Sequence, residues 1–347
     1  MTGLQIDVLG SGAVILGEDV TCDGFHRERP VRVQTHSHSD HMKDFNRSKH
    51  GEIILSPETF AFLSEPYHLD FAAPRANIHK IAPGNTYTYN DTKITLYRSH
   101  HMLGAVQVAV ELKDGTRLGY SGDFSWPMDG EVIQVDGLVV DATYGSPDSD
   151  RRYTQEDAEE SFLKLVRTHL VQGPVHIFAD TGPLERALQV LTVNDAIGNI
   201  PVIGSKRFSN SVKVHRKFGY LVDEVMSLNW PEASSGLTLD NYIRFWGLQQ
   251  QLPNDNEPGV KIRLTKYRTR NEPIEQCSED VFTVGFSNHA DFSGTIDYIK
   301  STGASYVVTD GCRTIGGKAN QLAVHIREYL GIKARCSSNN LSREWGM

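Results

Sequence analysis

Hydrophobic and polar positions change rhythm twice along this chain. Up to about residue 145 the apolar residues come in short alternating or β-branched runs. Leu4 to Leu9, Ala13 to Leu16, Val31 to Thr35, Thr92 to Tyr97, Val106 to Leu112 and Val135 to Val140 read as strands. Gly10-Ser11-Gly12 reads as a turn, because no helix clearly follows it. One short helix is predicted over Pro57 to Leu63, started at Ser56 with the proline in its first turn. The rhythm then becomes helical. Thr154 is placed to cap a helix that opens Gln155-Glu156-Asp157 and carries Phe162, Leu163, Leu165 and Val166 on one side. A strand (Val175 to Ala179), a helix (Leu184 to Val193), a strand (Pro201 to Ile203) and a helix (about Ser209 to Phe218) follow, and this alternation predicts a parallel α/β unit. Residues 231–260, with Pro231, Pro253 and Pro258, read as loop. From Val281 the chain is strand-like again, and it closes with a helix at about Ala319 to Leu330.

Composition narrows the class. The chain has 347 residues, 39% of them hydrophobic, enough for one large domain or two modest ones with a real core. No apolar run approaches a membrane span, and the first residues lack the basic-then-apolar pattern of a signal peptide. Cys22, Cys277, Cys312 and Cys336 are scattered, which argues against a disulfide scaffold or a thiolate metal site and for a reducing cytoplasm. A formal net charge of −8 weighs against a protein that coats nucleic acid through bulk charge, but not against a nuclease whose bound cations and local basic patches grip the substrate.

The densest chemistry is His36-Ser37-His38-Ser39-Asp40-His41, directly after the strand-like run Val31 to Thr35. Residues two apart on an extended chain point the same way, so His36 and His38 can grip one ion, while Asp40 and His41 turn toward a neighbouring position. Imidazoles with a carboxylate and no thiolate suit Zn²⁺, with Mn²⁺ or Fe²⁺ as alternatives. Two further strand-to-loop junctions offer ligands: His100-His101 after the run ending at Tyr97, and Asp123 in Tyr120-Ser121-Gly122-Asp123. In this reading His36, His38 and His101 hold one ion, Asp40 and His41 hold a second, and Asp123 bridges them. A bridged pair about 3.5–4 Å apart lowers the pKa of a bound water to about 7 and clamps a phosphoryl displacement.

The series His36-x-His38-x-Asp40-His41, His101-x-x-Gly104 and Ser121-Gly122-Asp123 resembles the metallo-β-lactamase superfamily. Val139-Val140-Asp141-Ala142-Thr143-Tyr144-Gly145 and Phe286-Ser287-Asn288-His289-Ala290-Asp291-Phe292 are similar to the acidic and histidine motifs of its β-CASP nucleases. Phe178 to Gly182 and Arg186 to Gln189 look like the start of the β-CASP insert, and the likeness runs from about Val8 to Ile326. The compact size and the last third of the chain most resemble the bacterial exonucleases associated with a DNA ligase, and less closely the RNA 3′-end processing nucleases. The resemblance implies an α/β fold, the αββα sandwich with an inserted α/β domain. The expected divisions are 1–148 and 281–347 for the sandwich and 149–280 for the insert. It also implies a metal-dependent nuclease with two divalent ions, most simply Zn²⁺ with Mn²⁺ as the alternative, acting on DNA rather than RNA by a two-metal hydroxide mechanism. Asp40, Asp141 and His289 are the expected catalytic residues, since a carboxylate beside His289 raises its pKa and fixes its tautomer. Where the family usually has a histidine ligand, this chain reads Val307-Val308-Thr309-Asp310-Gly311, so Asp310 is expected as a shorter, harder seventh ligand that holds the second ion less tightly or favours Mn²⁺.

Two basic runs are candidates for the substrate backbone. One contains Lys206, Arg207, Lys213, Arg216 and Lys217, of which Lys206, Lys213 and Lys217 share a face if the segment is one helix. The other alternates Lys261, Arg263, Lys266, Arg268 and Arg270. A solvated charged face is the plainer explanation of each run. The competing functions are an RNA-processing nuclease of the same family, a metallo-hydrolase of small thioesters or lactones, and a non-catalytic scaffold in a processing complex. Expected company is the nucleic acid, with no membrane, and with a homodimer or DNA-repair and processing partners.

Overall fold

The computed structural model describes residues 4–45, 51–66, 77–229, 236–237, 240–248, 258–265 and 271–337. The chain divides into two compact units. The first comprises Met1–Ser64, Leu69–Asp150 and His289–Met347; the second comprises Glu65–His68 and Arg151–Asn288.

The first unit begins with β1 (Ile6–Val8), β2 (Val14–Leu16), β3 (Val20–Cys22), β4 (Val31–Gln34), β5 (Glu52–Leu55), α1 (Pro57–Ser64) and β6 (Asn77–Lys80). Its strands lie side by side in chain order in one sheet. A second sheet starts with β7 (Thr86–Tyr89), β8 (Thr92–Arg98), β9 (Val106–Glu111), β10 (Arg117–Tyr120) and β11 (Gly137–Val140).

The chain then builds the second unit: α2 (Gln155–Leu170), β12 (Val175–Ala179), α3 (Pro183–Val193), β13 (Val202–Gly204), α4 (Lys206–Lys217), β14 (Met226–Ser227), β15 (Ile243–Gly247), β16 (Val260–Thr265), β17 (Ile274–Ser278) and β18 (Val281–Gly285). Thr154 starts α2 with a reciprocal cap: its hydroxyl accepts from the Asp157 amide at 3.1 Å, and the Asp157 carboxylate accepts from the Thr154 amide at 2.8 Å. The sheet order is β14-β13-β15-β12-β16-β18-β17, parallel except for the β17–β18 pair. Phe162 and Val166 of α2, Leu188 and Leu191 of α3 and Val212 of α4 share one core with Ile177, Ile243 and Ile262 of the sheet.

Three differences from the sequence reading concern this unit. A strand, β15, lies inside the stretch taken as loop. Its Ile243 and Phe245 are buried, and it sits between β12 and β13, because Pro231, Pro253 and Pro258 flank it without interrupting its ladder. The unit also runs on to Asn288 rather than ending at 280, because β18 pairs with both β16 and β17. The helix expected at about Ser209 begins at Lys206, where the Ser205 hydroxyl accepts from the Phe208 amide.

After the second unit, α5 (Phe292–Ser301), β19 (Tyr306–Thr309), α6 (Lys318–Leu330) and β20 (Lys333–Cys336) complete the first. β19 joins beside β11, giving the order β20-β19-β11-β10-β9-β8-β7. Alternation sorts the side chains. Val139 and Val308 face the other sheet, meeting Val8, Leu16 and Val33, whereas Leu138, Val140 and Val307 face Ile296 and Ile299 of α5 and Leu322 and Ile326 of α6. On the far side of the first sheet Ile53 and Leu55 pack on Leu63 of α1. The first unit is therefore the expected αββα sandwich, with the α/β unit inserted between β11 and α5. Among the described residues no helix is long and apolar enough to cross a membrane.

Two glycines keep the site edge of this sandwich in shape. Gly104 has φ +88°, and a Cβ there would lie 2.7 Å from the Thr59 amide; its carbonyl accepts from the Ser56 and Thr59 hydroxyls. Gly122 has φ +56°, and a Cβ there would lie 2.7 Å from the Val106 carbonyl oxygen. A Gly122→Ala substitution is therefore expected to destabilise the chain by roughly 1–3 kcal/mol from backbone strain, with the clash added. Thermal melting of the two proteins side by side checks this; equal melting temperatures would refute the account of the Gly122 turn.

Candidate metal centre

Six strand ends or strand-to-loop junctions of the first unit deliver the site. Asp23 follows β3, the histidine run follows β4, His101 follows β8, Asp123 follows β10, Asp141 follows β11 and Asp310 follows β19. A hydrogen bond from the Val106 amide to the Thr35 carbonyl, 3.1 Å, ties the start of β9 to the histidine run.

Asp123 is the hub. Its side chain is 9% exposed, and four imidazoles point their Nε2 atoms at it: His41 at 3.2 Å from Oδ1, and His101 at 3.5 Å, His36 at 3.7 Å and His289 at 3.8 Å from Oδ2. The His101 Nε2 and His38 Nδ1 atoms are 3.0 Å apart. His36, His38, His101 and Asp123 thus offer ligand atoms within 4.8 Å of one another; Asp23, His36 and His41 form a second such group, and Asp123, Asp141 and His289 a third.

The imidazoles are oriented from behind. His41 Nδ1 lies 2.7 Å from Asp23 Oδ2, and the Asp23 carboxylate also accepts from the Thr35 amide (2.8 Å), the Thr35 hydroxyl (2.5 Å) and the Gln34 side-chain amide (3.2 Å). His289 Nδ1 lies 2.9 Å from Asp141 Oδ2, and Asp141 Oδ1 accepts from the Thr143 amide and hydroxyl, both at 2.8 Å. The Ser121 hydroxyl accepts from the Asp141 amide at 2.9 Å and donates to the Gly122 carbonyl at 2.6 Å, stitching two site loops together. Each carboxylate fixes which ring nitrogen carries the proton and leaves Nε2 facing inward.

These residues fit a divalent metal ion. His36 Nε2 is buried and makes no hydrogen bond, and buried His41 Nε2 has the Asp123 carboxylate beside it, 3.2 Å away. A buried imidazole nitrogen without a partner is costly, and coordination relieves that cost. Burial holds His36 well below its ordinary pKa, with His41 and His38 adding to the effect, so it stands as a neutral ligand. Burial opposes the Asp123 charge, but His41 and His289 outweigh it and hold the carboxyl well below the usual range. Burial likewise opposes a proton on His41, but Asp123 and Asp23 outweigh burial and push its pKa up to about 10.

The other expected residues are placed as follows. Asp40 has its Oδ2 3.8 Å from His41 Nε2, but its side chain is 61% exposed and it joins none of the three groups. Asp310 Oδ2 accepts from Arg313 Nη1 at 2.7 Å and its Oδ1 from the Cys312 amide at 2.8 Å, and it too joins none of the three groups. Lys206, Arg207, Lys213, Arg216 and Lys217 are all exposed on α4 of the second unit. In the other basic run, Lys266, Arg268 and Arg270 lie outside the described residues, and Lys261 pairs with Asp280. Sequence reasoning missed Asp23. The available signal was a carboxylate at a strand end, the address shared by the other candidate ligands, but with no histidine beside it.

A family model described as a beta-lactamase superfamily domain matches residues 27–182. The chain is 32% identical over 140 residues to an uncharacterized protein in the lig 3′ region of Acidianus ambivalens, covering 40% of this chain and 98% of that protein. It is 26% identical over 217 residues to the DNA cross-link repair protein SNM1 of Arabidopsis thaliana, covering 59% of this chain and 40% of that one. It is 26% identical over 133 residues to the endoribonuclease YSH1 of Eremothecium gossypii, covering 36% of this chain and 17% of that one. The chain thus spans nearly all of the first relative but well under half the length of the other two.

The raised pKa of His41 carries a sign. Stability from its proton is fully present below the ordinary histidine value and is lost as pH rises toward about 10. With metal removed by a chelator, the unfolding free energy is expected to fall across that window by at most about 1.4 kcal/mol per pH unit from this group, seen as a falling melting temperature. His41→Gln should flatten the slope; parallel slopes for the two proteins would show that the bridging proton contributes nothing.

Proposed function

This chain belongs to the metallo-β-lactamase superfamily, in its β-CASP nuclease branch, and from that premise we propose that it hydrolyses the phosphodiester bonds of nucleic acid, as an exonuclease on DNA. The observation that carries the reading is the convergence of imidazoles on Asp123, with the His289–Asp141 pair directed at the same carboxylate. Three imidazoles and a carboxylate with no thiolate favour Zn²⁺, with Mn²⁺ as the alternative. When bound, the metal supplies Lewis-acid charge to the phosphoryl oxygens and acidifies a water.

The residues of the chain do the rest. Asp40, exposed at the rim, accepts the proton of the attacking water. Asp141 holds His289 with Nδ1 as donor, and Thr143 holds Asp141, so His289 Nε2 is turned inward, where it gives a hydrogen bond or a proton to the leaving oxygen. Lys206, Arg207, Lys213 and Lys217 follow the phosphate backbone, each by charge and without base specificity. DNA is favoured over RNA by the relative named for the lig 3′ region and by the one named for DNA cross-link repair; the endoribonuclease relative keeps RNA as the second reading. A reducing cytoplasm and DNA-repair or processing partners complete the proposal.

End-labelled DNA and RNA strands incubated with Zn²⁺ or Mn²⁺ are the direct test. Release of nucleotides from DNA is expected, and the Asp40→Ala, His41→Ala double variant should release none. Degradation by that variant at the parent rate would assign the activity to a contaminant. Cleavage of a chromogenic ester with none of oligonucleotides would favour the small-molecule hydrolase instead, and a metal-free purified chain the scaffold. His289→Ala should lower kcat about 10²–10⁴-fold with metal content unchanged. Lys206→Glu with Lys213→Glu should raise KM, leave kcat in place and flatten the salt dependence; an unchanged KM would remove α4 from the substrate path.

A further inference from the structure

The Asp310–Arg313 pair lies beside the metal centre, and the mechanism does not use it. Arg313 has a side chain only 6% exposed. Its Nη1 donates to Asp310 Oδ2 at 2.7 Å, and its Nη2 donates to the Gly12 carbonyl at 2.6 Å and the Asp23 carbonyl at 3.3 Å. Asp23 in turn holds His41 at 2.7 Å. A guanidinium that does not lose its proton is therefore locked one residue behind His41.

This decides what a second ion would find. Asp310 Oδ2 is held by the Arg313 guanidinium and Oδ1 by the Cys312 and Arg313 amides, so either oxygen gives up a hydrogen bond in turning toward an ion. Asp40 is 61% exposed and outside every ligand group, and Asp23 occupies His41 Nδ1. Among the described residues the oxygens near His41 Nε2 are Asp123 Oδ1 at 3.2 Å, already shared with the first group, and Asp40 Oδ2 at 3.8 Å on an exposed side chain. One imidazole, a carboxylate shared with the first group and an exposed carboxylate, beside a fixed cation, make a weaker site than the buried first group. We infer that the chain holds one ion tightly, on His36, His38, His101 and Asp123, and that Arg313 supplies the fixed positive charge on the His41 side.

The inference rests on the metal-centre reading above, and one titration separates their failures. The stripped chain, titrated with Zn²⁺ by calorimetry and assayed for metal content after dialysis, should retain about one ion per chain. With Mn²⁺ the electron paramagnetic resonance signal should be that of isolated ions. Asp310→Asn, which keeps an acceptor for Arg313, should leave the stoichiometry unchanged, whereas Arg313→Gln, which releases Asp310, should raise it. Two tightly held ions in the parent, an exchange-coupled Mn²⁺ pair, or loss of an ion in Asp310→Asn would overturn the inference while leaving the nuclease reading intact. No bound ion at all would overturn both.

Discussion

A single buried carboxylate organises this protein. Asp123 cannot keep its charge in a nearly water-free site unless positive or polarisable groups surround it, and four imidazoles do so within 3.8 Å. The same requirement runs the other way. Burial, and then the repulsion of imidazoles packed this closely, hold His36 neutral, while His41, bracketed by Asp123 and Asp23, keeps a proton. The arrangement is poised between a proton-bridged network and a coordinated ion, and the second state relieves the unpartnered His36 nitrogen of the first.

The fold makes that convergence possible by lining up strand ends. β10, β11 and β19 run parallel as neighbours, so Asp123, Asp141 and Asp310 emerge at one edge of the second sheet. β4 in the first sheet brings the histidine run to the same place, and the Val106–Thr35 hydrogen bond joins the two. Behind the ligands stands a layer of short side chains, Thr35, Ser121 and Thr143, whose hydroxyls hold carboxylates and loops in position. Positional precision in such a site comes from this outer layer as much as from the ligands themselves. Asp310, at the same edge, turns its carboxylate to Arg313 and ties the loop after β19 to the site.

Much of this was legible in the chain. Alternating runs located the strands that matter, and Thr154 with Asp157 marked the start of α2. The spacing in His36 to His41 placed two ligands on one side of an extended segment, a local geometrical fact that needs no knowledge of the fold. His101, Asp123, Asp141 and His289 could be picked out because each follows a strand-like run and matches a family motif. β15 was hidden because prolines and polar residues surround a short strand whose burial comes entirely from its neighbours β12 and β13. Asp23 was hidden because a lone aspartate before a glycine reads as a turn.

The chain by itself determined the inventory: which donors exist, which are imidazole or carboxylate, and which lie at strand ends, since periodicity and local spacing are properties of neighbouring residues. Only the tertiary structure decided partnership. Whether Asp310 faces an ion or an arginine, which nitrogen of His41 looks inward, and that Asp23 stands behind it depend on groups brought together from far along the chain. Those outcomes are set by competition among buried charges for the few oppositely charged or hydrogen-bonding groups within reach, and that competition exists only once the strands have packed.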